Sequence, residues 1–254
     1  MQLPVRAGST PHRENIVVIP TYNEAENLEP LVERVLHLGK FDVLIVDDAS
    51  PDGTGAIGDH LATCYPGYVQ VLHRSRKRGL GPAYRAGFRV ALERGYRYVF
   101  EMNADFSHDP DTLLSLRKAL DDADMVLGSR YVRGGSTSNW PALRRFVSQC
   151  GSIYAARVLG LPFHDLTGGF KGFRARVLHV LDFGGIQSNG YAFQIEVTYR
   201  AYTAGFQIVE RAIAFTNRRS GRSKMSLGII AEALRIVWLL RFGQARRVLE
   251  EARP

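Results

Sequence analysis

The sequence predicts an α/β fold built on a mostly parallel, doubly wound sheet with helices on both faces. Two observations carry this. Short apolar runs alternate with helical patterns from residue 16 to about residue 131, the signature of repeated strand–helix units. The runs are also near-continuously apolar rather than alternating, as strands covered on both faces are. No internal repeat or low-complexity linker interrupts them.

Residues 1 to 14 read as a loose polar lead. The first strand is "IVVIP" (16–20), followed by a helix near 24–38. "DVLIVDD" (42–48) and a helix near 54–63 come next, then "YVQVLHR" (68–74) and a helix near 80–94. "YVFEMNAD" (98–105), a helix near 110–121 and "MVLGSRY" (125–131) complete the alternation. Beyond Trp140 the pattern changes to a helix near 141–159, a Gly-rich segment, a helix near 190–204 and a strand "QIVERAIAF" (207–215). A last apolar helix starts at Ser226, which divides the chain into a lead (1–14), a main domain (15–225) and a C-terminal amphipathic, basic helix (226–254).

Hydrophobic residues make up 45% and charged residues 23% of the 254, enough for a sizeable core. The net charge of +8 is concentrated: from Arg211 onward there are ten Lys and Arg against Glu232, Glu250 and Glu251. An anionic partner follows from that balance. The charge is mixed into an apolar helix rather than interleaved with exposed aromatics, which argues against nucleic acid. Cys64 and Cys150 have no metal or redox spacing and read as reduced core thiols of a cytosolic protein. The N-terminus lacks the apolar segment of a signal peptide. No run of about 18 apolar residues occurs, so no single helix is expected to span a bilayer.

In such sheets ligands bind beyond the carboxyl ends of the strands, so those residues are read for chemistry. After the first strand, Thr21 and Glu24 fit a capping box, while Pro20, Tyr22 and Glu24 also offer a ring and a carboxylate to a nucleotide base. The glycine pattern of a dinucleotide site is missing. After the second strand, Asp47 and Asp48 suit a ribose or base, and Asp52-Gly53-Thr54 reads as a turn feeding a helix. After the third, Arg74, Arg76, Lys77 and Arg78 form a basic loop, and Gly79 and Gly81 open a helix whose N-terminus favours phosphate. After the fourth, Asp109-Pro110 reads as an N-cap with a first-turn proline. Asn103 and Asp105 precede it without such a role. An oxygen pair beside a phosphate is a common way to hold Mg²⁺ or Mn²⁺.

"PTYNE", "DDASPDGT", "GLGPAYRAG", "NADFSHDP", "GSRY", "TGGFKGFR", "GYAFQIE" and "RRSGRSKMS" follow one another between residues 15 and 226. In this ordered set the chain resembles the family-2 glycosyltransferases, and among them the polyprenol- or dolichol-phosphate mannosyltransferases. The resemblance implies a glycosyltransferase A-type fold and a catalytic domain over 15–225. It implies transfer of mannose from GDP-mannose to a polyprenyl phosphate with inversion; the alternative is glucose or another sugar. By motif, Pro20, Tyr22, Glu24 and Asp48 would hold the nucleoside. Asn103, Ala104 and Asp105 match the family's D-x-D metal element, with Asn103 where Asp is usual. Arg130, Arg144 and Ser148 match positions that grip the acceptor phosphate, and Lys224 would lie near the phosphates. Asp105, Arg130 and Arg144 would carry the catalysis. Gln194 and Glu196 would either bond the sugar or cap their helix, and Asp165 would bind sugar hydroxyls, orient an arginine or cap a loop.

A phosphate-monoester oxygen is already an anion at neutral pH, so this reaction needs no general base. It needs charge management for two mutually repelling anions. The acceptor lies in a membrane, so the expected location is cytoplasmic and peripheral, on the cytoplasmic face. Residues 226–242 are either a core helix or an interfacial one with Trp238 and Phe242 in the headgroup layer. A membrane-anchoring partner protein is the further expectation.

Overall fold

The computed structural model describes residues 13–138, 140–181, 186, 188–216 and 234–243. Five apolar runs form parallel strands: β1 (Asn15–Thr21), β2 (Phe41–Asp47), β3 (Val69–His73), β4 (Tyr98–Glu101) and β5 (Met125–Ser129). Their continuous apolarity has the cause the sequence suggests. Ile16 and Val18 enter one core cluster while Val17 and Ile19 enter the other, and Leu44 and Val46 divide from Val43 and Ile45 in the same way. β1 and β2 thus bury both sets of alternating side chains, while the edge strand β3 is only half-buried.

Helices α1 (Ala25–His37), α2 (Thr54–Cys64) and α4 (Thr112–Ala119) cover one face through residues such as Leu28, Leu31, Leu61 and Leu116. Helices α3 (Leu80–Glu93), α5 (Ala142–Leu159), α6 (Ala175–Val180) and α7 (Gly190–Thr203) cover the other through Phe88, Leu159, Leu178 and Phe193. Of the C-terminal helix, residues 234–243 are described; Val237 is buried in that second cluster while Trp238 and Phe242 face outward. One side of this helix is therefore core, and the side with Trp238 and Phe242 is exposed.

Two strands complete the sheet. β7 (Lys171–Arg174) runs antiparallel between β4 and β5, and β8 (Ile208–Ala212) pairs parallel with β5, giving the order β3-β2-β1-β4-β7-β5-β8. The expected strand 207–215 breaks at Ile213, whose N–H bonds Ser129 O at 3.0 Å. Its tail becomes β9 (Ala214–Phe215), paired with β6 (Ser136–Thr137).

Several local expectations are corrected. Thr21 is the last residue of β1 and gives its hydroxyl to Asp47 Oδ1 at 3.2 Å, so it does not cap α1. The first N–H of α1, on Ala25, is instead taken by Asp52 Oδ2 at 3.2 Å, across the loop. Asp109 shapes a turn ahead of α4, accepting Asp111 N–H at 3.2 Å, and α4 itself starts at Thr112. Cys64 and Cys150 are free and exposed rather than core residues, because each sits on the outward side of its helix. β4 ends at Glu101, short of the expected 105, because the following residues turn into a loop with Phe106 at φ 56°.

Gly87 on α3 shows how closely helix and sheet approach. A methyl group there would stand 2.4 Å from Val18 Cγ1 and 3.1 Å from Val46 Cγ2, inside a β-branched strand surface that cannot yield. Gly87→Ala is expected to destabilise the fold by about 1–3 kcal/mol, read as a lowered urea midpoint at unchanged m-value.

Candidate active site

The strand order reverses between β1 and β4, and the crevice at such a reversal is the ligand site of an open α/β sheet. Loops following β1, β2, β3 and β4 meet there. Asp47 anchors the second loop by accepting Ser50 Oγ–H at 2.6 Å. Asp52 shapes the turn after it, accepting both N–H and Oγ–H of Thr54 at 3.1 and 2.6 Å, as the sequence suggests.

Asp48 is buried; one oxygen pairs with Arg74 and the other accepts the Arg78 N–H at 3.1 Å. Lys77 Nζ stands 3.6 Å from the centre of the Tyr22 ring. Pro20 is half-buried at the end of β1, and Glu24 accepts Asn27 Nδ2–H at 3.1 Å. The basic loop of the third strand therefore folds back over the candidate nucleoside residues. A side chain on Gly81 would meet Ser188 O at 2.5 Å and Phe193 at 3.1 Å, so this glycine serves the packing of α3 against the start of α7.

The loop after β4 is held by its own side chains. Asp105 Oδ1 accepts Ser107 N–H at 3.1 Å and Ser107 Oγ–H at 2.5 Å. The Asn103 N–H goes to His108 Nδ1 at 3.3 Å, and Asn103 Nδ2 faces Ser107 Oγ at 3.5 Å. That contact turns Asn103 Oδ1 the other way, toward the space beside Gly169, where a Cβ would lie 3.8 Å from it. Ala104 is buried between the two ligand-type residues.

Among the described residues no group of three His, Cys, Asp or Glu could enclose a metal. Asn103 and Asp105 supply hard oxygen donors. That set fits a divalent cation whose remaining ligands come from a bound diphosphate.

His108 and Phe215 join this loop to the next cluster. They form an antiparallel bridge, the imidazole stacks on Phe170 at 4.6 Å, and its edge meets Phe215 at 5.2 Å. Burial pushes His108 down to about 4, leaving it neutral at pH 7. With Nδ1 accepting, Nε2 carries the proton, and it is buried without a partner among the described residues. Phe215 in turn meets Trp140 at 5.2 Å, and Arg144 lies 4.0 Å over the Trp140 ring. Burial raises the Tyr131 phenol, and Arg130 and Ser148 act in the opposite direction.

Arg130 borders the same rings and is the most constrained member. Asp165 takes Nε at 2.6 Å, Nη2 at 2.7 Å and the Arg130 N–H at 3.0 Å, and Thr167 Oγ1 also accepts from Nη2 at 2.9 Å. Burial opposes both charges, but mutual attraction wins: Asp165 is held below the usual carboxylate range and Arg130 above its own. Of the roles open to Asp165, it fills two here: it orients an arginine and caps its own loop by accepting the Gly168 N–H at 3.1 Å. Among the described residues, none of these acceptors takes Nη1.

Beneath the Asn103 loop, Gln194, expected at the sugar or capping its helix, joins a polar network with Glu101 and Lys171, which sequence reading did not assign. Glu101 and Lys171 are cross-strand partners on β4 and β7, both fully buried. Glu101 Oε2 accepts Gln194 Nε2–H at 2.8 Å; Lys171 Nζ donates to Gln194 O at 2.7 Å and Thr198 Oγ1 at 2.9 Å. Burial raises Glu101 to about 7 and lowers Lys171 to about 8, each opposed by the other's charge. Glu196 accepts from Ser188 at 2.5 Å and Arg200 at 2.9 Å, pinning the start of α7. The lone charges inside "YVFEMNAD" and "GFKGFR" were the available signal for this network. Lys224, expected near the phosphates, lies outside the described residues.

Solved structures share this architecture. The chain matches glucosyl-3-phosphoglycerate synthase from Mycobacterium tuberculosis, solved with Mn²⁺, UDP and phosphoglyceric acid, at TM-score 0.67 and 16% identity, covering 91% of this chain and 79% of that one. A mannosyltransferase from Pyrobaculum calidifontis, solved with GDP-mannose and Mn²⁺, matches at TM-score 0.57 and 20% identity, over 97% of this chain and 68% of that one. The class is therefore the glycosyltransferase A-type fold.

A family model described as glycosyl transferase family 2 matches residues 16–181. Polyprenol monophosphomannose synthase of Mycolicibacterium smegmatis is 48% identical over 88% of this chain and 85% of its own length. Undecaprenyl-phosphate mannosyltransferase of Micrococcus luteus is 48% identical over 91% of this chain and 95% of its own. Dolichol-phosphate mannosyltransferase of Pyrococcus furiosus is 35% identical over 88% of this chain and 62% of its own. The chain belongs to glycosyl transferase family 2.

Proposed function

We propose that the protein transfers mannose from GDP-mannose to a polyprenyl phosphate, with inversion at the anomeric carbon. The observation that carries this reading is geometric. A loop of oxygen donors at the sheet's switch point shares one aromatic wall, His108–Phe215–Trp140, with an arginine cluster. Two anion-handling sites on one wall suit the joining of two phosphorylated substrates. The names of the relatives supply the sugar and the lipid.

In this reading Pro20, Tyr22, Glu24 and Asp48 hold the nucleoside, under the basic loop of Arg74 and Lys77. Asn103 and Asp105 hold a divalent cation, Mg²⁺ or Mn²⁺; when bound, it neutralises the donor diphosphate. Arg144, Ser148 and the Nη1 of Arg130 draw in the acceptor phosphate. Its oxygen bonds the mannose anomeric carbon as the bond to the diphosphate breaks, and GDP leaves with that electron pair. No side chain has to take a proton. The test is incubation with labelled GDP-mannose, UDP-glucose and UDP-N-acetylglucosamine plus a polyprenyl phosphate, with and without Mg²⁺ or Mn²⁺. Label in the lipid from GDP-mannose alone is the expected result; no lipid-linked mannose under any condition overturns it.

Among the described residues no helix is long and apolar enough to cross a membrane. The α5 helix instead presents Leu143, Phe146 and Ile153 outward, at 74%, 65% and 38% exposure, next to Arg144 and Arg145. Residues 234–243 present Trp238 and Phe242 with Arg235 and Arg241. These faces suit peripheral attachment to an anionic bilayer on the cytoplasmic side. A membrane-anchoring partner protein would add to such attachment. Leu143→Asp with Phe146→Asp is expected to weaken sedimentation with phosphatidylglycerol vesicles about tenfold or more. Unchanged vesicle binding would reject α5 as the attachment face.

A further inference from the structure

The loop of Asn103 and Asp105 contains a strained residue. Phe106 has φ 56°, in the left-handed region that a bulky side chain enters only at a cost. Among the described residues, the other non-glycine residues at positive φ are Asn23 and Ala49. The three follow β1, β2 and β4, around the crevice at the strand-order reversal. Strain of this kind gathers at ligand sites and persists where the surroundings over-determine it.

The surroundings that hold Phe106 come from a distant part of the chain. Thr216 Oγ1–H donates to Phe106 O at 3.0 Å, and Thr216 N–H donates to Ser107 O at 3.2 Å. The Phe106 ring is packed against the core cluster beneath, so the turn is fixed from inside and from outside. Asp105 and Ser107 flank this turn, and the N–H and hydroxyl of Ser107 both end on Asp105 Oδ1. The torsion at Phe106 therefore sets how the Asp105 carboxylate is aimed. A role in stability alone explains Thr216 poorly, because it is exposed and a hydrogen bond at the surface adds little to the fold. Its neighbour Phe215 meets Trp140, on which Arg144 lies, so the brace reaches the cation loop from the acceptor side of the aromatic wall.

We propose that Thr216 is a positioning residue for the cation loop: its hydroxyl holds Phe106 in the left-handed turn, so that Asp105 is preset to receive a divalent cation. This rests on the assignment of Asp105 to the cation and adds to it the residue that shapes the loop.

The test compares wild type, Thr216→Val and Thr216→Ser. Mn²⁺ affinity is titrated with GDP present, amide exchange at Ser107 is followed without metal, and the urea midpoint serves as control. Valine keeps the backbone bond and the branched shape but lacks the hydroxyl. Thr216→Val should weaken Mn²⁺ binding roughly threefold to tenfold, the usual contribution of one hydrogen bond. It should also speed exchange at Ser107 and leave the urea midpoint unchanged, while Thr216→Ser should match wild type throughout. A second pair separates relief of strain from general disturbance. Asparagine tolerates the left-handed backbone, so in a Phe106→Asn background Thr216→Val should cost less than about twofold. Unchanged Mn²⁺ affinity in Thr216→Val, an equal loss in Thr216→Ser, or an undiminished loss in the Phe106→Asn background would overturn the proposal. Should wild type bind no divalent cation, the cation reading fails, and exchange at Ser107 still decides whether Thr216 holds the loop.

Discussion

Asp105→Asn is expected to lower kcat/KM for transfer by about 10²- to 10³-fold while leaving the fold intact. The variant is chosen for what it keeps. Asp105 Oδ1 shapes its loop by accepting two hydrogen bonds from Ser107, and an amide oxygen can accept both. What the amide cannot supply is charge. Asn103 is already neutral, so Asp105 carries the formal negative charge of the triplet. Stabilising a departing diphosphate through a cation is worth several kcal/mol, and each 1.4 kcal/mol is about tenfold in rate. The loss should appear in Mn²⁺ affinity measured with GDP present. Asn103→Asp should change that affinity in the opposite direction. Near-normal turnover of Asp105→Asn would remove this loop from the chemistry.

The parts of the fold legible in the sequence were those governed by local pattern. Continuous apolar strands, their order along the chain and the polar loops after them follow from burial on both faces and from turn chemistry. β7 was not legible, because four residues with a lysine at their head carry no strand signal. Lys171 makes sense only opposite Glu101, a partner seventy positions earlier in the chain. The candidate site divides in the same way. Asn103, Asp105 and Arg130 sit at strand ends that pattern alone marks out. The pairings Arg74–Asp48, Lys77–Tyr22 and His108–Phe215 depend on loops meeting across the sheet edge, which no local spacing encodes. Gly81 has a role that spacing does not reveal: a Cβ there would stand 2.5 Å from Ser188 O, so the glycine lets α3 pack against the start of α7.

Removing Asp165 should be the most destabilising change in the site, because of what it strands. Its carboxylate accepts from Arg130 N, Nε and Nη2 and from Gly168 N–H at 3.1 Å, with both charged side chains almost wholly enclosed. Asp165→Leu leaves the Arg130 guanidinium buried and uncompensated, which typically costs about 3–5 kcal/mol. Adding Arg130→Met removes the stranded charge, so the double variant should recover most of that loss in urea unfolding, since an apolar pair of similar volume is often as stable as a buried ion pair. Transfer separates the roles. If Arg130 only braces the loop of Asp165 and Thr167, the double variant regains activity along with stability. If Nη1 also reaches the acceptor phosphate, stability returns while the KM for polyprenyl phosphate stays high and GDP binding stays normal. The second outcome is expected: Asp165 fixes the guanidinium by its other nitrogens, beside the ring that Arg144 also covers. A double variant with full transfer would reduce Arg130 to a brace.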